Sequence, residues 1–179
     1  NAHTDYIFSK INEAIPAKSI LILNADDLIS SQLGNNNKKI FFSISKLEND
    51  LKKNNSLVQD SKICPKCYSL LNYEYIHYNH LGKAICPNCG FTNYSAKYVL
   101  TKIDYENKNI VINKEKYFLI NDGLFNTYNE LLAITILKEL GIQNINDSLQ
   151  NIKIVKSRYS NYKIKNIEII TQLAKGQNP

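Results

Sequence analysis

The chain has 179 residues, 44% of them hydrophobic and 21% charged, with a formal net charge of +6. That is the make-up of a domain able to build its own apolar core. No run approaches the roughly 18 consecutive apolar residues of a membrane-spanning helix. The positive charge invites a nucleic-acid or anionic-surface reading, but it is carried by lysines scattered among Asn and Glu, as in "GNNNKK" and "ENDLKKNNS". A biased Lys/Asn/Ile usage is the simpler account of it. Methionine is absent, and Asn1-Ala2 reads as an added remnant rather than the start of an element, so the chain is expected to be a piece of a longer one. Arg158 is the one arginine among 22 basic residues. Either a single planar, bidentate donor is required there, or one arginine has survived by chance.

In chain order, residues 6–15 carry apolar side chains at 7, 8, 11 and 15 and predict a helix closed by Pro16. "KSILILN" predicts a parallel strand covered on both faces. "ADDLISSQLG" predicts a short helix ended by Gly34, and "KKIFFSIS" a second buried strand. Helix, strand, helix, strand is the repeat of a parallel α/β sheet. From about 46 to 62 the chain is polar. "AKYVLTKIDYENKNIVINKEKYFLI" breaks into three short runs, an antiparallel meander. "NTYNELLAITILKELGI" is the clearest helix, with a stripe at 131, 132, 134, 136, 137 and 140, a stop at Gly141 and a capping box of Thr127 with Glu130. A short helix around 146–151 leads to "IKIV", Arg158 and a hairpin turning at Lys165-Asn166.

All the cysteines lie in "CPKCYSLLNYEYIHYNHLGKAICPNCGF". Cys64 and Cys67, then eighteen residues, then Cys86 and Cys89, have the spacing of a four-cysteine zinc site. Two tight turns each offer a pair of thiolates to a tetrahedral ion, and each carries Pro after its first Cys, Pro65 and Pro87. "YEYIHY" as strand and "NHLG" as turn complete a zinc ribbon. Two disulfides, or free thiols, are the competing readings. Four thiolates close the shell, so the metal is expected to be structural, and His77 and His80 are expected at the hairpin surface. Tyr68, Tyr73, Tyr75 and Tyr78 suit either stacking of single-stranded bases or packing against the main domain.

"DGLFNTYNELLA" sets Asn126 and Asn129 at the start of the strongest helix, where anionic ligands are favoured and an Asn side chain matches the adenine edge; for Asn126 a plain helix cap is the simpler role. In the order "LILNADD", "GLFNTYN", "SRYS", the chain resembles the central ATPase domain of the Mur ligase family. The four-cysteine ribbon between the first two motifs, worded "CPKC…HLGKAICPNCGF", is similar to one branch, the MurT-type subunits of lipid II isoglutaminyl synthase.

The resemblance implies an α/β domain, a mostly parallel sheet with flanking helices, holding an inserted zinc ribbon. The expected division is 3–60 central domain, 61–98 ribbon, 99–160 central domain again, and 161–179 its end with the start of a C-terminal domain, where "AKGQNP" falls. For the full protein it implies an ATP- and Mg²⁺-dependent ligase. It would activate the α-carboxyl of D-glutamate in lipid II as an acyl phosphate and amidate it with ammonia from a GatD-type glutaminase partner in the cytoplasm. Asn126, Asn129 and Arg158 match nucleotide contacts of the family. Asn24, Asp26 and Asp27 match a motif lining the nucleotide side of the sheet. No G-x-x-x-x-G-K-[ST] loop occurs in the chain, so no catalytic residue is assigned and the piece alone is expected to be inactive. The alternative function is a zinc-ribbon module binding nucleic acid or protein.

Overall fold

The computed structural model describes residues 2–53, 62–152 and 159–172. A helix, α1 (Ala2–Ala14), precedes the strands β1 (Ile20–Asn24) and β2 (Lys38–Ile44). The ribbon strands β3 (Asn72–Tyr78) and β4 (Leu81–Ile85) follow. Then come β5 (Tyr98–Asp104), β6 (Asn109–Ile112) and β7 (Glu115–Phe118), the helices α2 (Leu124–Glu139) and α3 (Ile145–Gln150), and the hairpin β8 (Tyr159–Ile164) with β9 (Ile167–Gln172).

One five-stranded sheet runs in the order β1-β2-β5-β6-β7. Its first three strands are parallel, and the meander β5-β6-β7 continues the same sheet antiparallel. Alternation along "KKIFFSI" buries Ile40, Phe42 and Ile44 on one side. Phe42 and Ile44 join Leu100, Ile110, Ile112 and Tyr117 from the neighbouring strands, with Leu131 and Ile134 of α2 and Leu149 of α3 closing the core. β3 and β4 form a separate two-stranded sheet inserted between β2 and β5. The terminal hairpin turns at Lys165, whose φ is 53°.

Four expectations need correction. The first helix begins at Ala2, so Ala2 belongs to an element. "KSILILN" is not covered on both faces: among the described residues β1 is an edge strand, half-buried, with Ile20 exposed. "ADDLISSQLG" forms a turn and a single 3-10 turn, Ser30–Gln32, not an α-helix. Asp27 is the reason: its carboxylate accepts the Ile29 N–H at 2.9 Å and the Ser30 hydroxyl at 2.6 Å, a local alternative to helical bonding.

The fourth concerns α2. It starts at Leu124 with Gly123 (φ 94°) as N-cap, so Thr127 and Glu130 do not form a capping box. The Thr127 hydroxyl instead donates back to the Gly123 carbonyl at 3.1 Å, and Glu130 accepts the Ile120 N–H at 3.0 Å. The buried face runs through Thr127, Tyr128, Leu131, Ile134 and Thr135, which leaves Ile136 and Leu140 exposed. Gly141 (φ 73°) ends the helix as expected.

Candidate metal centre and its junction with the sheet

The two Cys-Pro-x-Cys turns fold alike. The Cys64 N–H donates to the Ser69 carbonyl and the Tyr68 N–H to the Cys64 carbonyl; the Cys86 N–H donates to the Phe91 carbonyl and the Gly90 N–H to the Cys86 carbonyl. Each turn places its fifth residue in the left-handed region, Tyr68 at φ 60° and Gly90 at φ 70°. That curl aims both thiols of each turn at one point.

The four sulfurs lie within 4.8 Å of one another. Cys64 Sγ is 3.7 Å from Cys89 Sγ, and Cys67 Sγ is 3.4 Å from Cys86 Sγ. Ligands at about 2.3 Å from a tetrahedral zinc stand about 3.8 Å apart, so the cage has the right size. These separations are also far beyond a bonded S–S distance, and all four cysteines are free thiols, which removes the disulfide reading. The backbone N–H and then the hydroxyl of Ser69 draw the Cys67 thiol down, while Cys89, drawn down by the Phe91 N–H, is pushed up by burial and by the neighbouring cysteines. The Lys66 N–H reaches Cys64 Sγ at 3.4 Å and the Asn88 side chain reaches Cys67 Sγ at 3.7 Å, further donors suited to thiolates. With four sulfurs the shell is full, so such a metal can fasten the two turns but offers no open position for chemistry.

The ribbon is clamped to the sheet at the end of β1. The Gly82 N–H donates to the Asp26 carbonyl at 3.1 Å. Asn93 spans the gap, donating to the Ala25 carbonyl at 2.7 Å and the Gly82 carbonyl at 2.8 Å while accepting the Ala84 N–H at 2.8 Å. Sequence reasoning missed Asn93 altogether, since a lone Asn after a ribbon carries no pattern.

His77 and His80 are not surface residues of the hairpin. The His77 side chain is fully buried, with Nδ1 at 2.7 Å from Asp50 Oδ1 and Nε2 at 3.0 Å from the Ile44 carbonyl. Each ring nitrogen thus faces an oxygen of the main domain. His80 Nε2 lies 3.6 Å from Asp27 Oδ1. Tyr75, whose ring centroid lies 5.0 Å from that of His77, is buried on the same side. Of the four ribbon tyrosines, Tyr75 is buried and Tyr73 half-buried, while Tyr68 and Tyr78 are exposed.

The two motifs flanking the ribbon meet at the carboxyl end of the parallel strands, where open α/β sheets take ligands. Asp26 is buried, and its Oδ2 accepts the Ile44 N–H at 2.8 Å and the Tyr128 hydroxyl of α2 at 2.8 Å. Burial pushes its carboxyl up to about 6, against the pull of those two donors. The Asp27 carboxyl is held low: burial raises it, but hydrogen bonds from His80, Ser30 and the Ile29 N–H prevail. Asn24 Oδ1 accepts the Asp26 N–H at 2.9 Å and so shapes the turn. Asn126 and Asn129, three residues apart, share the exposed face of the first turns of α2. The Asn126 amide donates to the Asp122 carbonyl at 2.7 Å. Arg158 lies outside the described residues.

No protein-family model matches the chain. The MurT subunit of lipid II isoglutaminyl synthase (glutamine-hydrolyzing) from Staphylococcus aureus strain COL is 35% identical over 180 residues, 96% of this chain and 40% of that protein. The same-named subunit of Streptococcus pneumoniae is 38% identical over 82 residues, 44% of this chain and 18% of that protein. Among solved structures, a pseudomurein peptide ligase type C from Methanothermus fervidus superposes with a TM-score of 0.71 at 30% identity, covering 92% of this chain and 33% of that one. In fold and in sequence the chain is therefore similar to Mur-type peptide ligases. Within them its likeness is to the MurT subunits, along nearly its whole length, and the chain spans about 40% of the length of the fuller-matching curated relative.

Proposed function

We propose that the chain is the ribbon-bearing part of the central domain of an ATP-dependent ligase subunit, and that the full protein amidates the D-glutamate α-carboxyl of lipid II. The observation that carries the reading is the meeting of the Asn24-Asp27 turn with α2 through the Tyr128–Asp26 hydrogen bond, beside a four-cysteine ribbon. That junction brings two of the motifs matched by the MurT resemblance, the NADD turn and the start of α2, to one end of one sheet.

In this reading ATP is a substrate: the carboxylate oxygen takes its γ-phosphoryl group and ADP leaves. Ammonia then attacks the acyl carbon, phosphate leaves, and the nitrogen loses a proton. The nucleotide lies over the exposed face of Asn126 and Asn129, with Arg158 reaching it. Asp26 and Asp27 hold the strand end rather than contact substrate: Asp26 Oδ2 takes the Ile44 N–H and the Tyr128 hydroxyl, and the two Asp27 oxygens take the Ile29 N–H and the Ser30 hydroxyl. Cys64, Cys67, Cys86 and Cys89 hold a zinc ion that fastens the ribbon's two turns. The partner is a GatD-type glutaminase and the compartment the cytoplasm. The segments 3–60 and 99–160 are central domain, 61–98 the ribbon, and 161–179 the passage to a C-terminal domain. Burial of Tyr75 and partial burial of Tyr73 count against the base-stacking alternative, which needs successive exposed rings.

The test supplies the full-length protein and its glutaminase partner with amide-¹⁵N glutamine, ATP and a lipid II-like acceptor, and reads the product by mass spectrometry. The expected result is label at the D-glutamate α-carboxyl. Unlabelled acceptor with intact ATP binding would overturn the reaction assigned here.

A further inference from the structure

The ribbon has a second face that neither the metal nor the sheet uses. Ile63 bridges to Leu70, Asn72 pairs with Ile85, and Ile85 bridges to Thr92. Directly paired residues point to the same side of a sheet, as do residues two apart along a strand, so Ile63, Leu70 and Ile85 line one outward face. Their neighbours Cys64 and Cys86 point inward and are buried. On that face Leu70 is 70% exposed, Ile63 54% and Ile85 51%, and Tyr68 at the tip of the first turn is 81% exposed.

The surroundings are basic. Between residues 62 and 92 the acidic residue is Glu74, against Lys62, Lys66 and Lys83. Glu74 sits 3.3 Å from Lys83, which leaves Lys62 and Lys66 beside the apolar strip. Leu70 and Lys62 also line a cavity of about 650 Å³ with Lys52, Lys53, Leu71 and Ile76. Three lysines stand in its lining with Leu70, Leu71 and Ile76, and Asn72, Tyr73, Asn79 and His80 complete the wall.

We propose that this outer face of the ribbon docks on an anionic, phosphate-bearing lipid surface. Ile63, Tyr68, Leu70 and Ile85 would enter the boundary between headgroups and acyl chains while Lys52, Lys53, Lys62 and Lys66 meet the phosphates. Aliphatic and aromatic side chains ringed by lysines match both layers of such a surface. A protein partner needs no such concentration of one charge around the cavity. The inference rests in part on the ligase reading, since a lipid-linked acceptor gives the subunit a reason to sit at a bilayer.

The test uses the full-length protein with its glutaminase partner and vesicles of phosphatidylglycerol with phosphatidylethanolamine, or of phosphatidylcholine alone, read by co-sedimentation. The protein should bind the anionic vesicles, bind phosphatidylcholine at least about tenfold more weakly, and be released as salt rises. Leu70→Ser with Ile85→Ser, and separately Lys62→Glu with Lys66→Glu, should each weaken binding about tenfold or more at unchanged zinc content and thermal midpoint. Equal binding of both vesicle types, or wild-type binding by both double variants, would overturn the proposal. So would absence of vesicle binding together with a dimer or a subunit complex that Leu70→Ser disrupts, which would assign the face to protein. A water-soluble, lipid-free acceptor separates the two readings: the variants should amidate it at the wild-type rate, whereas wild-type failure on it counts against the ligase and leaves vesicle binding as an independent result.

Discussion

Glu130 shows what one buried carboxyl does to stability. Its Oε2 accepts the Ile120 N–H, Oε1 has no hydrogen-bond partner, and burial pushes the group up to about 7. The folded chain therefore holds a proton that the unfolded chain releases near 4.5. The stability this contributes is full below about pH 4.5 and is lost as pH rises towards 7. Glu130→Gln should remove that slope, so the midpoint of wild type minus that of the variant should fall steadily from about pH 4.5 to 7. A difference that is flat or rises over this range would contradict the assignment. Of the residues at the site, the four cysteines were legible because metal ligands obey a spacing rule. His77 and Asp50 were not, because their pairing joins positions 27 apart in sequence and only the way the ribbon folds back brings them together. The role of Glu130 was misjudged for a related reason: its distance from Thr127 fits a cap, but the helix starts a turn earlier.

At the scale of elements, the ribbon depends on two devices. One is the close approach of β4 to β3 at Gly82, where a Cβ would stand 2.3 Å from the Tyr75 carbonyl oxygen and 2.8 Å from Ile76 Cα. Both are backbone atoms that cannot swing aside. Gly82→Ala should cost about 1–3 kcal/mol and loosen the Gly82 hydrogen bond to Asp26, read by denaturant unfolding and by hydrogen exchange in β3 and β4. Wild-type stability there would show that the strands yield. The other device is the cysteine cage. Cys86→Ser should abolish zinc binding and strip exchange protection from residues 62–92 first, because a metal site lends its binding free energy to whatever it folds. The sheet has a core of its own from β2, β5, β6, α2 and α3 and should persist. Retained zinc at full stoichiometry, or loss of the whole fold, would each contradict this division. Most strands and α2 were readable from alternation and helical period. The turn after β1 was not, since Asp27 captures the backbone locally, and the edge position of β1 depends on what pairs beside it.

For the molecule as a whole, the sheet, the ribbon and the start of α2 converge on the strand ends near Asp26, and the likeness to MurT subunits runs along the same segments. If Arg158 reads the nucleotide by its planar fork, Arg158→Lys in the full-length protein should lower ligase activity by about tenfold or more although the charge is kept. Unchanged kinetics would make the lone arginine incidental. The central claim is that this domain serves a ligase whose ATP use is tied to its acceptor. The most direct measurement is glutamine-dependent ADP release by the full-length protein with the proposed GatD-type glutaminase, with and without a lipid II-like substrate. The account predicts ADP formed only when that substrate is present. ADP formed equally without it, or no ADP while ATP remains bound, would contradict it.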